Sequence, residues 1–148
     1  LDDYNRLTDE MARARGIDGF PPLPVDLIVG SAMVVRPAML GLIAELRSAG
    51  LATAILTNNV RALGRWRDLA DWNDLVDVVV DSWEVGMRKP EARIFRHVCT
   101  ELGVEPSAAL FLDDMQPNVD GADQVGMSAM LVRDPAEAIA EVRRLVSN

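Results

Sequence analysis

The 148-residue chain has a single cysteine, a single histidine and only 5% aromatic residues. One cysteine, Cys99, excludes an internal disulfide and a four-cysteine zinc site, and its place on an apolar helical stripe reads as a buried thiol. The lone histidine, His97, lies mid-helix between Arg96 and Val98 with no serine or cysteine at a companion spacing, so a histidine-based triad has no support. Positive charge is scarce: 15 Lys and Arg stand against 23 Asp and Glu, a net charge of -8. Non-specific nucleic-acid binding needs a basic face, so no nucleic-acid partner is expected. Small anionic substrates are not excluded, because one lysine or a metal can reverse the local field of a site. No run approaches the ~18 apolar residues of a membrane span. The opening LDDYNRLTDEMARARG reads neither as a signal peptide nor as a transit segment, so the expected location is cytoplasmic, without a membrane partner. Glycine-rich phosphate loops of the nucleotide-binding types are missing. So is any Asp-x-Asp pair.

What is present is a core. Apolar residues make up 49% of the chain, enough for one domain of this length. Residues 4–15 read as a helix with Leu7 and Met11 on one side, followed by the proline-rich break GFPPLP. VDLIVG at 25–30 is ambiguous between strand and helix. From Arg36 the pattern becomes regular. Pro37 suits the first turn of a helix with Leu40, Ile43, Ala44 and Leu46 inward, which Gly50 can close. LATAIL at 51–56 is a short strand, and residues 61–72 form a helix with Leu63, Trp66, Leu69 and Ala70 on its inner face. VDVVVD at 76–81 is a strand, and Pro90 opens a helix bearing Ile94, Phe95, Val98 and Leu102. ALFLDD is a strand, 117–125 a short helix, and SAMLV at 128–132 a strand. Asp134-Pro135 then caps a last helix with Ile139, Val142 and Leu145 inward. Alternating β and α with strands apolar throughout predicts an α/β fold, a parallel sheet covered on both faces in a three-layer, Rossmann-like arrangement.

Ligands of such sheets bind beyond the carboxyl ends of the strands, and three polar sites fall there. Thr57-Asn58 follows the first strand, where a hydroxyl, an amide and loop N–H groups suit phosphoryl oxygens; a plain turn accounts for the same residues. Lys89, between Gly86 and Pro90, can offset phosphoryl charge or simply be solvated. Asp113-Asp114 directly after ALFL is costly beside a core without a cation or donors. Its oxygens suit Mg²⁺, and capping of the following helix, with Asn118 in the same polar loop, is the structural alternative. Arg61, Arg65 and Arg67 read as a solvated helix face.

Taken together, AILTNN at 54–59, VGMRKPEARIF at 85–95 and LFLDDMQPNVDGADQVGMSAMLV at 110–132 resemble the haloacid dehalogenase-like hydrolase superfamily. The similarity is to its phosphatase-like branch, including the amino-terminal phosphatase domains fused to some epoxide hydrolases. It covers roughly residues 36–148. The resemblance implies that Thr57 and Asn58 bind the phosphoryl group and that Lys89 stabilises both the nucleophile and the phosphoryl oxygens. It makes Asp114 the magnesium-binding acid, with Asp113 its partner directly or through water. Dehalogenating relatives commonly carry Ser-Asn at that last site, so Asp113-Asp114 favours the magnesium-dependent phosphoryl branch.

The same resemblance gives the missing Asp-x-Asp its meaning. Family members begin with an apolar strand ending in that pair, whose first carboxylate attacks phosphorus and whose second serves as acid and base. Asp2-Asp3 and Asp26 lack both spacing and setting. That strand lies centrally, between those ending at Thr57 and Asp113, so its loss would leave two edges to be paired or covered. The expectation is therefore a core at residues 36–148, truncated on its amino-terminal side, preceded at 1–35 by a remnant of a helical cap or a linker. An upstream segment, another copy of the chain or VDLIVG would complete the sheet. The implied function is that of a fragment or descendant of a Mg²⁺-dependent hydrolase of small phosphate monoesters, working through an aspartyl-phosphate. Its partner is a small anionic phosphorylated substrate, and this chain alone is expected to be inactive. A catalytically inactive interaction domain and a 2-haloacid dehalogenase are the alternatives.

Overall fold

The computed structural model of the protein describes Arg13, residues 36–59 and residues 70–147. The expected helix at 4–15, except Arg13, lies outside those residues, as do VDLIVG and positions 61–69 of the helix expected at 61–72. Helix α1 (Pro37–Ser48) begins with proline in its first turn and is followed by Gly50 at φ +80°. Its buried residue is Leu42, which joins Ile139 and Val142, with Met39 and Leu46 packed alongside. The inward stripe is thus 39, 42, 46, rotated from the expected one, and Ala44 is exposed. The rotation follows from what the helix meets: it packs on the last helix of the chain, and Arg143 donates from two nitrogens to both oxygens of Glu45.

Strand β1 (Ala54–Thr57) pairs in parallel with β2 (Val78–Asp81), Thr57 opposite Asp81. Between them lies the short helix α2 (Trp72–Leu75). Helix α3 (Ser82–Val85), absent from the sequence expectation, is started by the Asp81 side chain, which accepts from the Trp83 N–H at 2.9 Å. Helix α4 (Ala92–Leu102) begins two residues later than Pro90 suggested. The Glu91 N–H reaches the Arg88 carbonyl at 2.8 Å, so Pro90 sits inside a tight turn, after a cis peptide bond, rather than in the first helical turn.

Strand β3 (Leu110–Asp113) pairs in parallel with β4 (Ser128–Leu131). Helix α5 (Gln116–Gln124) connects them, and α6 (Pro135–Val146) closes the described chain. The Asp134 carboxylate caps α6 by accepting from Ala136 and Glu137 N–H groups at 2.7 and 3.0 Å. Ile139 and Val142 are buried as expected, but Leu145 is 45% exposed, because it lies in the last turn of the helix.

Strand alternation places Leu110, Leu112 and Met130 in the cluster with α1 and α6, and Phe111 and Ala129 in the cluster with α4 and Ala122. The β3–β4 pair is thus covered on both faces, as the three-layer reading requires. The larger cluster also takes in Leu56, Val78 and Val80, so β1 and β2 share its core. Among the described residues, however, the strands form two separate two-stranded sheets, with no pairing between β1 and β3. The expected central strand would run between these two sheets. No helix among the described residues is long and apolar enough to cross a membrane.

Candidate active site

Asp113 is the last residue of β3, and the period of two puts it on the same side as Phe111. Lys89 meets both. Its Nζ lies 2.7 Å from Asp113 Oδ2 and 5.6 Å from the centre of the Phe111 ring. The two charged side chains are only 11% and 6% exposed. Asp113 Oδ1 accepts from the Met115 N–H at 2.9 Å and from Asn118 Nδ2 at 2.8 Å. Burial pushes the Asp113 carboxyl up, but hydrogen bonds from Lys89, Asn118 and the Met115 N–H, with the lysine's charge, hold it below the usual aspartate range.

The structure separates the two carboxylates that the sequence presented as a pair. Asp113 has donors on both oxygens and is buried. Asp114 is exposed and makes no hydrogen bond or ion pair with the described residues. No group of three or more His, Cys, Asp or Glu side chains suited to a metal occurs among the described residues. Magnesium commonly takes one or two carboxylates, with water and substrate phosphate filling the remaining positions. Asp114, held at the strand end by the fixed Asp113, fits that pattern as a single carboxylate ligand.

Asn58 follows β1 and reaches across to the Lys89 loop. Its Oδ1 accepts the Lys89 N–H at 2.8 Å, and its Nδ2 donates to the Lys89 carbonyl at 2.9 Å. Thr57, half-buried at the end of β1, makes no side-chain hydrogen bond among the described residues, which leaves its hydroxyl available. All five residues singled out in the sequence therefore form one connected chain: Thr57 and Asn58 by sequence, Asn58 to Lys89 and Lys89 to Asp113 by hydrogen bonds, and Asp113 to Asp114 by sequence. That chain crosses from the sheet of β1 to the sheet of β3.

Two supporting features were not foreseen. At the end of β2, buried Asp81 accepts from Asn59 Nδ2 at 3.1 Å, while Ser82 Oγ accepts from the Asn59 N–H at 2.8 Å and donates to the Asn59 carbonyl at 3.1 Å. This braces the loop that carries Thr57 and Asn58. The available signal was Asp81 closing VDVVV, just as Asp113 closes ALFL. The second is Gly121 in α5: a Cβ there would lie 2.7 Å from the Pro90 carbonyl oxygen and 3.0 Å from Phe95 Cε2. Only glycine lets α5 press against the Lys89-Pro90 turn. His97 stays mid-helix in α4, and Cys99 is buried, its thiol pushed up by burial and then by the nearby Glu105 charge. Arg61, Arg65 and Arg67 lie outside the described residues.

A family model described as haloacid dehalogenase-like hydrolase matches residues 8–126, reaching upstream of residue 36, where the resemblance read from the sequence begins. Mouse acyl-CoA dehydrogenase family member 10 is 32% identical over 148 residues, covering 99% of this chain and 14% of the mouse protein. Rat bifunctional epoxide hydrolase 2 is 33% identical, over 78% of this chain and 22% of the rat protein. A phosphatase from Mycobacterium tuberculosis is 39% identical, over 66% of this chain and 44% of that protein. The chain thus spans less than half the length of each of these relatives. Among solved structures, a family enzyme from Bacteroides thetaiotaomicron, an aspartate-to-alanine mutant in complex with magnesium and inorganic phosphate, superposes with a TM-score of 0.69. It is 22% identical, over 90% of this chain and 73% of that one, a likeness of fold.

Proposed function

The chain belongs to the haloacid dehalogenase-like hydrolase family, and from that premise we propose that it carries the phosphate- and magnesium-handling part of a phosphomonoester hydrolase. The observation that carries this reading is the buried Lys89–Asp113 contact of 2.7 Å at the strand ends, tied through Asn58 to Thr57. In this reading Thr57 binds phosphoryl oxygens with the help of its neighbour Asn58, and Lys89 offsets their charge and orients the attacking group. Asp113 and Asp114 form the magnesium site, Asp114 as ligand and Asp113 as the fixed neighbour. Magnesium, when bound, supplies charge neutralisation at the phosphoryl oxygens.

The reaction needs a carboxylate to attack phosphorus as the ester P–O bond breaks, with a proton delivered to the leaving oxygen. Water then attacks the aspartyl-phosphate to release inorganic phosphate. None of the 148 residues forms the Asp-x-Asp pair for these steps. That pair would then lie on a strand between β1 and β3 supplied by an upstream segment or by a second copy. Residues 36–148 form the hydrolase core, residues 1–35 a cap remnant or linker, and small phosphorylated metabolites in the cytoplasm are the substrates.

Two observations favour a second reading, an interaction domain without chemistry: the described residues lack a metal-ligand cluster, and the whole sequence lacks the reactive pair. The test compares the 148-residue chain with a longer parent carrying the upstream sequence, on small phosphate esters with and without magnesium. The hydrolase reading predicts magnesium-dependent turnover in the parent, abolished by Lys89→Met or Asp114→Asn. A parent inert under all conditions would leave the interaction domain standing.

A further inference from the structure

We infer that Asn58 is a positioning residue for Lys89, serving the site through the lysine's main chain rather than by side-chain contact with the phosphoryl group. The inference rests on the phosphoryl reading above and narrows the share of Asn58 in it. Asn58 and Lys89 are 31 residues apart, yet the carboxamide of one engages both backbone groups of the other, at 2.8 and 2.9 Å. Its orientation is dictated by those partners: an N–H must face the amide oxygen and a carbonyl must face the NH₂. The carboxamide thus acts as a stand-in for a paired peptide unit. It holds the Arg88–Glu91 turn to the end of β1, although that turn belongs to neither sheet.

A lysine needs such a hold more than most residues. Its four-carbon stem is flexible, and its charge is delivered from wherever its Cα is placed. Here the tip is fixed by Asp113 and the main chain by Asn58, while Gly121 lets α5 close on Pro90 from the other side. Only a carboxamide of this length supplies acceptor and donor together. Alanine supplies neither, and serine does not span the two groups at once. The amide's committed orientation also explains why Thr57, rather than Asn58, presents the available side chain at the end of β1.

The experiment uses the 148-residue chain with magnesium and inorganic phosphate as the probe, and reads two quantities by NMR. The first is hydrogen exchange of the Lys89 backbone N–H. Asn58→Ala is expected to speed it on the order of tenfold, as loss of a specific hydrogen bond does. The second is phosphate affinity in a double-mutant cycle. Asn58→Ala weakens binding on the order of tenfold in the otherwise unsubstituted 148-residue chain and less than about twofold in the Lys89→Met background, because a residue acting through Lys89 has nothing left to position. Unchanged Lys89 exchange, or an equal loss of affinity in both backgrounds, overturns the inference. If the unsubstituted chain binds no phosphate, the phosphoryl reading fails, and the exchange measurement alone decides whether Asn58 holds Lys89. Asn58→Ser carries the same readouts if Asn58→Ala does not fold.

Discussion

The Lys89 ammonium and the Asp113 carboxylate form a buried ion pair 2.7 Å apart that bridges a surface turn and the end of a core strand. Pairs of this kind cost desolvation on both sides, and removing one partner strands the other. Lys89→Met is therefore expected to destabilise the chain by about 3 kcal/mol, the low end for a broken buried pair, since Asn118 and the Met115 N–H still serve Asp113. Urea unfolding monitored by circular dichroism gives the value. A change under about 0.5 kcal/mol would show that the pair is not formed in solution.

Asp113 also makes stability depend on pH, and the sign is fixed by its lowered carboxyl. Burial raises its pKa, and the three hydrogen bonds with the lysine charge more than reverse that. In the acid range the unfolded chain binds this proton first. The stabilisation is whole above the ordinary aspartate value of about 3.9 and fades as pH falls through the folded-state value below it. Asp77, lowered by the Thr53 N–H despite an opposing desolvation and helped by Arg47, contributes in the same direction. Urea midpoints between neutral and strongly acid pH should fall for the unsubstituted chain and fall less for Asp113→Asn. Equal slopes would contradict the assignment.

Asp114 provides the contrast. It is exposed and makes no bond to the described residues, so Asp114→Asn is expected to leave stability within about 0.5 kcal/mol. Magnesium affinity, measured by calorimetry in the presence of inorganic phosphate, should fall at least tenfold on the order expected for a lost carboxylate ligand. The opposite pattern, with stability lost and affinity kept, would exchange the roles given to the two aspartates.

Glycine-to-alanine changes should take opposite signs at two positions. At Gly121 the new methyl would lie 2.7 Å from the Pro90 carbonyl oxygen, so α5 must back away, at a cost of about 1–3 kcal/mol. At Gly41, within α1, a Cβ meets nothing within 4 Å, and helix propensity should stabilise the chain by about 0.5–1 kcal/mol. Thermal unfolding of the two variants checks both. Stabilisation at Gly121 would mean that the turn and helix are not in contact.

Much of this architecture was legible in the sequence because three of the apolar strands, β1, β2 and β3, each end in a polar residue. ALFL followed by Asp113 fixed β3 and its buried carboxylate, and Asp134-Pro135 fixed the start of α6. The turn at Lys89-Pro90 was misread because proline is as suited to a turn as to a helical first turn, and only the Glu91–Arg88 hydrogen bond decides between them. The α1 stripe was rotated because periodicity shows that a helix has an apolar side, while the partner, here Ile139 and Val142, selects which residues occupy its centre. The division of labour between Asp113 and Asp114 could not be read from adjacency alone. Nor could the Asn58 carboxamide, whose partner is distant in sequence.

The central claim is that Thr57, Lys89 and Asp114 present one phosphate- and magnesium-binding surface in this chain. Titrating the ¹⁵N-labelled chain with inorganic phosphate, with and without magnesium, tests it most directly. The account predicts saturable, magnesium-dependent shifts at the amides of Thr57, Lys89 and Asp114, with the affinity weakened in Lys89→Met. Shifts absent at all three residues, or an affinity undiminished in that variant, would contradict it.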